Sequence, residues 1–156
     1  DSIIVVTDRR ILDRQIRDTI KQYAQVGSTV GHAEHSGDLR KFIEAGKKII
    51  ISTVQKFPFI LDEIGNEQRT RRFAIIIDEA QGLTQFQLKS VISRVGENSK
   101  IVVLGNLAQI DNKYISPLTS GLTYLVEKSK QYPHAGIMHV NGIVRSRLAA
   151  FAEENL

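Results

Sequence analysis

Short runs of consecutive apolar residues, each followed by a segment with helical periodicity, restrict the fold of this sequence more than any other feature. Runs such as IIVV, KIIIST, AIII and KIVVL are apolar at adjacent positions, which is typical of strands covered on both faces. Six such runs predict strands, at residues 2–7, 28–33, 48–53, 73–78, 100–105 and 135–140. With right-handed crossovers, the pattern predicts an α/β fold, a three-layer αβα sandwich whose mostly parallel, doubly wound sheet has about six strands.

The segment that follows residue 84 has the period of an amphipathic helix. We predict that one side of this helix is an apolar, buried stripe, which comprises Phe86, Leu88, Val91, Ile92 and Val95. Thr84 precedes this stripe and is expected to cap the helix, because its side-chain oxygen accepts hydrogen bonds from unpaired backbone N–H groups.

Composition fits one compact domain. With 156 residues, 42% of them hydrophobic and 24% charged, we expect a single α/β domain over residues 1–156. The net charge of +4 permits nucleic-acid binding without demanding it. The lack of cysteine excludes disulfides and thiolate metal sites, and no apolar run reaches the ~20 residues of a membrane span. We expect a cytoplasmic protein and, because the chain starts at Asp1 and its only methionine is Met138, a piece of a longer one.

Two adjacent acids end the fourth predicted strand, in the string FAIIIDEAQ at residues 73–81. An aspartate at a strand end holds Mg²⁺, usually through water, and a neighbouring carboxylate polarises an attacking water in phosphoryl transfer. We therefore assign Asp78 to magnesium and Glu79 to water activation, and we place Gln81 beside the nucleotide. The alternative is that the two acids only cap the following helix.

The strings IIVVTDRRILDRQIRDTI, KKIIISTVQKF and RRFAIIIDEA resemble the motor subunit of type I restriction enzymes, a translocase of helicase superfamily two, over about residues 2–80. The resemblance implies an ATP-driven motor with a RecA-like sheet. It also implies contacts with DNA from Thr7, Arg9 and Arg10 after the first strand, and from Ser52, Thr53 and Gln55 after the third. The alternative is that both arginines are a solvated helix start and Thr53 is a helix cap.

Residues 76–156 resemble a different family, the ATPase domain of PhoH-like proteins, through GLTQFQLKSVISRVGENSKIVVLGNLAQID, SGLTYLVEKSK and RSRLAAFAEENL. In such motors a strand ending in G-[DN]-x-x-Q presents its glutamine to the terminal phosphate. The resemblance implies that Gln109 senses this phosphate and that Asn106 lies at the nucleotide. Arg145 is a candidate to stabilise phosphate charge, with a surface helix position as the alternative.

The two resemblances meet near Ala80, which suggests a chimera with a restriction-translocase-like part at residues 1–80 and a PhoH-like part at residues 81–156. ATP and Mg²⁺ are implied by both parts. However, the phosphate-binding string G-x-x-x-x-G-K-[ST] does not occur in the sequence, and its nearest lookalike, Gly46-Lys47-Lys48, precedes a strand. We therefore expect the strand of the phosphate loop to be missing and the isolated chain to be inactive or very weak as an ATPase. We expect the remaining six strands to be rearranged; the alternative is that another chain supplies the missing strand.

Three functions follow from these observations. The first is a fragment of a nucleic-acid-dependent ATPase of the helicase type, with DNA or RNA as partner. The second is a recombined α/β scaffold without catalysis. The third is a DNA-binding module that uses no nucleotide and relies on Arg9, Arg10 and the cluster Arg69, Arg71 and Arg72.

Overall fold

The computed structural model describes residues 2–7, 30–33, 35–55 and 72–140. Its centre is a sheet of five parallel strands, in the spatial order β2-β3-β1-β4-β5. The strands are β1 Ser2–Thr7, β2 Val30–His32, β3 Ile49–Thr53, β4 Phe73–Ile77 and β5 Lys100–Val103. The predicted α/β class with a parallel sheet is confirmed.

Within the described ranges, three helices accompany the sheet: α1 Ser36–Glu44, α2 Gln85–Ile92 and α3 Gly121–Ser129. The main core forms where α2 and α3 cover one face of β1 and β4. Its buried members are Ile4, Val6, Val54, Ile75, Ile77, Ala80, Leu83, Leu88, Val91 and Leu122. A smaller cluster joins Ala33 and Ile43 to Ile50 of β3. Burial of these aliphatic side chains is the main force that holds the helices on the sheet.

Helix α2 begins as the sequence predicts. The Thr84 hydroxyl accepts a hydrogen bond from the backbone N–H of Gln87 at 3.2 Å, and the Gln87 side chain accepts one from the backbone N–H of Thr84 at 2.8 Å. Leu88 and Val91 are buried as predicted, but Phe86 is 79% exposed, so its place in the buried stripe is wrong. Phe86 lies two positions before Leu88, so its side chain points about 200° away from that of Leu88 around the helix axis.

The sixth predicted strand, at residues 135–140, is wrong. These residues are exposed and form no strand, and Met138 and Val140 are 86% and 83% exposed. A strand needs the backbone of a neighbour to satisfy its N–H and C=O groups. In the described part of the chain, residues 135–140 have no neighbouring strand of this kind. Their apolar character alone is therefore not sufficient to form a strand.

Strand β5 lies at an edge of the sheet. Leu104, just after it, donates its N–H to the Ile77 carbonyl at 2.8 Å, and its carbonyl accepts from Ala80 at 2.9 Å. Because alternate residues of a strand direct their backbone groups to the same side, Val102 also faces β4, whereas Val103 directs its N–H to the other side, where no described strand lies. On the sheet face away from the main core, the side chain of Val102 is 48% exposed.

The phosphate-loop lookalike, Gly46-Lys47-Lys48, lies in the turn between α1 and β3. Gly46 has a φ of 69° and lies between α1 and β3, so the glycine is followed by a strand and opens no helix. A left-handed backbone of this kind favours glycine because it lacks a Cβ atom. Among the described helices, none is long and apolar enough to cross a membrane.

Candidate nucleotide and magnesium site

Those predicted site residues that the structure describes lie at the carboxyl ends of the strands, which point the same way because the five described strands are parallel. Asp78 follows β4 and donates its backbone N–H to the Val6 carbonyl of β1 at 3.0 Å. On the other side of β1, Val54 donates to the Thr7 carbonyl at 2.9 Å. The carboxyl ends of β1, β3, β4 and β5 therefore lie side by side, and open parallel sheets bind ligands at the carboxyl ends of their strands.

Asp78 and Glu79 form a sharp corner at the end of β4. Glu79 has a left-handed backbone, with φ 57° and ψ 34°, and its N–H donates to Asp78 Oδ1 at 3.0 Å. Both acids are half-buried. A non-glycine residue in this conformation costs roughly 1–3 kcal/mol and occurs preferentially at functional sites. The alternative of simple helix capping is not supported, since a 3₁₀ turn at Ala80–Gly82 follows and Thr84 caps α2.

Gln81 is buried under this corner, with 2% of its surface exposed. Its side-chain Nε2 donates to Glu79 Oε2 at 2.8 Å and to the Gln109 carbonyl at 3.4 Å. Its Oε1 accepts from the backbone N–H of Asn106 at 3.1 Å. The amide of Gln81 is thus engaged by the protein itself, and its predicted contact with a nucleotide remains a prediction.

The segment at residues 105–109 follows β5 and lies against the acidic corner. A Cβ atom on Gly105 would lie 2.8 Å from Gln81 Oε1 and 2.7 Å from Leu122 Cδ2, so only glycine fits without displacement. Asn106 Oδ1 accepts from the Ala108 N–H at 3.0 Å and caps the 3₁₀ turn Leu107–Gln109. Gln109 is half-buried, and its carbonyl contacts the Gln81 amide, which also contacts Glu79.

The carboxylates suit Mg²⁺, which prefers oxygen ligands and keeps several of its waters. Asp78 Oδ1 accepts from Glu79, whereas Oδ2 has no protein partner among the described residues. In the described ranges, no group of three or more histidine, aspartate and glutamate side chains is placed to hold a metal. Asp78 would therefore hold the ion largely through water, and phosphate oxygens would supply further ligands. A bound ion would supply charge neutralisation for phosphoryl transfer.

The residues predicted to contact nucleic acid have mixed positions. Thr7, Ser52 and Thr53 are 0%, 0% and 2% exposed, and the contact of their hydroxyls with nucleic acid remains a prediction. They lie at the ends of β1 and β3, and Ser52 Oγ has no hydrogen-bond partner among the described residues. Gln55, two residues farther on, is exposed. The remaining predicted site residues, Arg9, Arg10 and Arg145, lie outside the described residues, as do Arg69 and Arg71 of the proposed basic cluster.

Ser120 is a site-supporting residue that the sequence interpretation missed. It is fully buried, its hydroxyl donates to the Gln81 carbonyl at 3.0 Å, and the Leu122 N–H donates to that hydroxyl at 3.2 Å. It therefore caps α3 and fixes the backbone of Gln81 at once. A serine immediately before an apolar helical segment was the available signal.

Two family models match the chain. Residues 68–155 match the PhoH-like protein family, and residues 1–111 match the SWI2/SNF2 ATPase family. The chain belongs to both families. It is therefore related to nucleotide-dependent ATPases, which confirms the PhoH-like resemblance and, at the coarser level of a helicase-like ATPase, the other one. The two matches overlap at residues 68–111, which contain the acidic corner and the loop after β5.

Individual relatives match over the second half of the chain. PhoH2 of Bacillus subtilis is 46% identical over 82 residues, which are 53% of this chain and 19% of the relative. PhoH2 of Thermobispora bispora is 37% identical over 82 residues, with the same shares. PhoH of Escherichia coli K12 is 34% identical over 64 residues, 41% of this chain and 18% of the relative. The chain thus spans about a fifth of the length of these relatives.

Among solved structures, the UvsW helicase of bacteriophage T4 is similar, with a TM-score of 0.48 and 17% identity. The match covers 69% of this chain and 38% of the helicase chain.

Proposed function

We propose that this chain is the part of a nucleic-acid-dependent ATPase motor that carries the magnesium and water-activating carboxylates and the phosphate sensor. Asp78 holds Mg²⁺ through water, Glu79 polarises the attacking water, and Gln109 contacts the terminal phosphate. The observation that carries the proposal is the contact between two strand ends, in which the β4 acids and the 105–109 loop are joined by the buried Gln81 amide.

We further propose that the isolated chain hydrolyses ATP poorly. Phosphoryl transfer needs backbone N–H groups and a lysine around the phosphates, and the sequence lacks the glycine-rich string that supplies them. The half-buried acids of the chain provide negative charge, which repels a nucleotide unless a cation compensates it. Activity is therefore expected only when another polypeptide segment completes the phosphate site.

A titration with Mn²⁺, a paramagnetic substitute for Mg²⁺, tests the metal assignment. We expect Asp78→Asn to weaken Mn²⁺ binding about tenfold or more, because the open carboxylate oxygen is lost. Glu97→Gln is the matched control: this exposed carboxylate precedes β5 at the opposite edge of the sheet, and its loss should leave binding unchanged. Equal Mn²⁺ affinity in wild type and Asp78→Asn would contradict the assignment.

A turnover assay tests the proposed inactivity. The wild-type chain with Mg-ATP should release phosphate no faster than an Asp78→Asn, Glu79→Gln double variant. Turnover well above that of the double variant would show that the phosphate site is complete in this chain, and the second proposal would be wrong.

A DNA or RNA partner and a cytoplasmic location remain proposals. The helicase-like family match and the exposed Gln55 at the carboxyl edge support a nucleic-acid contact there. Fluorescence anisotropy with single-stranded DNA and RNA at increasing salt tests it, since phosphate contacts weaken with salt. Binding that is absent at low salt would remove this part of the proposal. The narrower assignments, a restriction-type motor and a chimera joined near Ala80, also remain proposals.

A further inference from the structure

We propose that the exposed side of α3, with the turn that follows it, is a binding surface for single-stranded nucleic acid. This α3 surface consists of Tyr124, Lys128, Tyr132 and His134, all of them exposed. The inference rests on the proposed function, which names nucleic acid as the partner. It goes beyond that function in assigning the form of the strand and a surface away from the carboxyl edge of the sheet.

The two tyrosines of the α3 surface take no part in the core. Tyr124 is 47% exposed and Tyr132 is 59% exposed. Helix α3 packs on the main core through Leu122, Leu125 and Val126, which lie together on one side of the helix. The core therefore uses the other side of α3 and leaves both tyrosine rings accessible to a ligand.

Each exposed ring is oriented by a neighbouring side chain. The Lys128 ammonium lies 5.6 Å from the centroid of the Tyr124 ring, within the range of a cation–π contact. The rings of Tyr132 and His134 meet edge to face, with centroids 5.5 Å apart and an interplanar angle of 74°. A base that stacks on a ring already held in place loses little additional side-chain freedom, which favours binding.

The charge of the α3 surface suits a phosphate backbone. Glu127 is the one acid in the sequence of α3, and its Oε1 accepts a hydrogen bond from Lys130 Nζ at 2.6 Å, so the two charges offset each other. Among the described residues Lys128 forms no ion pair, and its ammonium can meet a phosphate.

The combination of rings and an ammonium distinguishes between two kinds of partner. In single-strand binding surfaces, bases stack on aromatic rings while cations contact the phosphates. Lysine is instead depleted in protein–protein interfaces. The pairing of Tyr124 with Lys128 therefore favours a nucleic acid over a protein.

The α3 surface begins near the candidate site and extends away from it. Gly121, the first residue of α3, donates its N–H to the Leu83 carbonyl at 2.8 Å, just after the 3₁₀ turn that follows the acidic corner. From Gly121 to Ser129 the helix rises about 12 Å. Tyr132 closes the next turn, since its N–H donates to the Ser129 carbonyl at 3.0 Å. A strand bound along α3 would therefore have one end close to the acids.

Fluorescence anisotropy with a labelled deoxythymidine oligonucleotide of about ten nucleotides tests the α3 surface. We expect Tyr124→Ala and Tyr132→Ala each to weaken binding about fivefold or more, because one stacked base is lost, whereas Tyr124→Phe keeps the ring and should bind like wild type. Lys128→Gln should weaken binding and reduce the slope of log affinity against log salt by about 0.7, as expected for one phosphate contact of a single strand.

The form of the nucleic acid is tested with two further ligands. The same strand paired with its complement should show no response to Tyr124→Ala, because the faces of its bases are already stacked on one another. A uridine oligonucleotide decides between RNA and DNA, whose bases and phosphates offer the same contacts. An equal loss of duplex and single-strand binding in Tyr124→Ala would contradict stacking on the ring.

The matched controls are Phe86→Ala and Lys89→Gln, an exposed ring and an exposed lysine of α2. No described cation lies over the Phe86 ring, and both variants should bind like wild type. If Tyr124→Ala, Tyr132→Ala and Lys128→Gln behave like these controls, the α3 surface is overturned, while binding by wild type leaves the nucleic-acid partner standing. Absence of binding by wild type would overturn both. Loss of the Mn²⁺ site would refute only the catalytic part of the proposed function.

Discussion

Gly105→Ala should destabilise the protein, because the new methyl group has no room. Its Cβ would lie 2.7 Å from Leu122 Cδ2, 2.8 Å from Gln81 Oε1 and 3.0 Å from the Gln81 backbone nitrogen. Carbon atoms normally approach to about 3.5–4.0 Å, so these neighbours must retreat by several tenths of an ångström. The leucine tip can rotate, but the backbone nitrogen belongs to the turn after Glu79. Overpacking of this kind costs about 1–3 kcal/mol.

Thermal unfolding followed by circular dichroism measures this cost. For a chain of this size the loss corresponds to a fall in Tm of about 3–10 °C. Gly37→Ala is the matched control, since a Cβ there meets no atom within 4 Å and Gly37 lies in α1. That variant should be as stable as wild type or more so, because alanine favours a helix. A Tm of Gly105→Ala at or above wild type would refute the close packing of the loop on Gln81.

Three pairs of substitutions test further local features by urea unfolding. Thr84→Ala should cost about 1 kcal/mol through loss of the α2 cap, while Thr84→Ser keeps it; equal stability of the two would contradict the cap. Glu79→Ala should be less stable than Glu79→Gly by about 1 kcal/mol, because only glycine tolerates a φ of 57° without strain, and the reverse order would exclude the left-handed corner. Val102→Pro should lower the free energy of unfolding by about 3 kcal/mol, and clearly more than Val103→Pro, because only Val102 directs its N–H to β4. A larger loss of stability for Val103→Pro would place β5 inside the sheet.

The local hydrophobic pattern of the sequence was sufficient to predict strands that pair with other strongly apolar strands. Consecutive apolar residues marked β1, β3, β4 and β5, and Thr84 marked the start of α2. The same pattern failed at residues 135–140, because an apolar segment becomes a strand only beside an unpaired neighbour. It failed at Phe86 because the helix is short and only its Leu88 side meets the core.

The candidate site was predictable as a set of residues but not as an arrangement. Two acids after an apolar strand and a glutamine after the next one suggested Asp78, Glu79 and Gln109 from their chemistry. The role of Gln81 could not be predicted, because the partners of its side-chain amide lie up to 28 positions away along the chain. The burial of Ser52 likewise depends on the strands around β3 and not on its own neighbours in sequence.

The sequence by itself determined the class of fold and the chemistry available to the chain, since hydrophobic periodicity fixes which segments are strands and residue type fixes which groups bind a cation. Only the tertiary structure decided which of these groups touch. Strand order and parallel direction bring the ends of β4 and β5 together, and a single buried amide then joins Glu79 to the loop that carries Gln109. Hydrogen bonds act over about 3 Å, so they depend on a proximity that only the folded sheet creates.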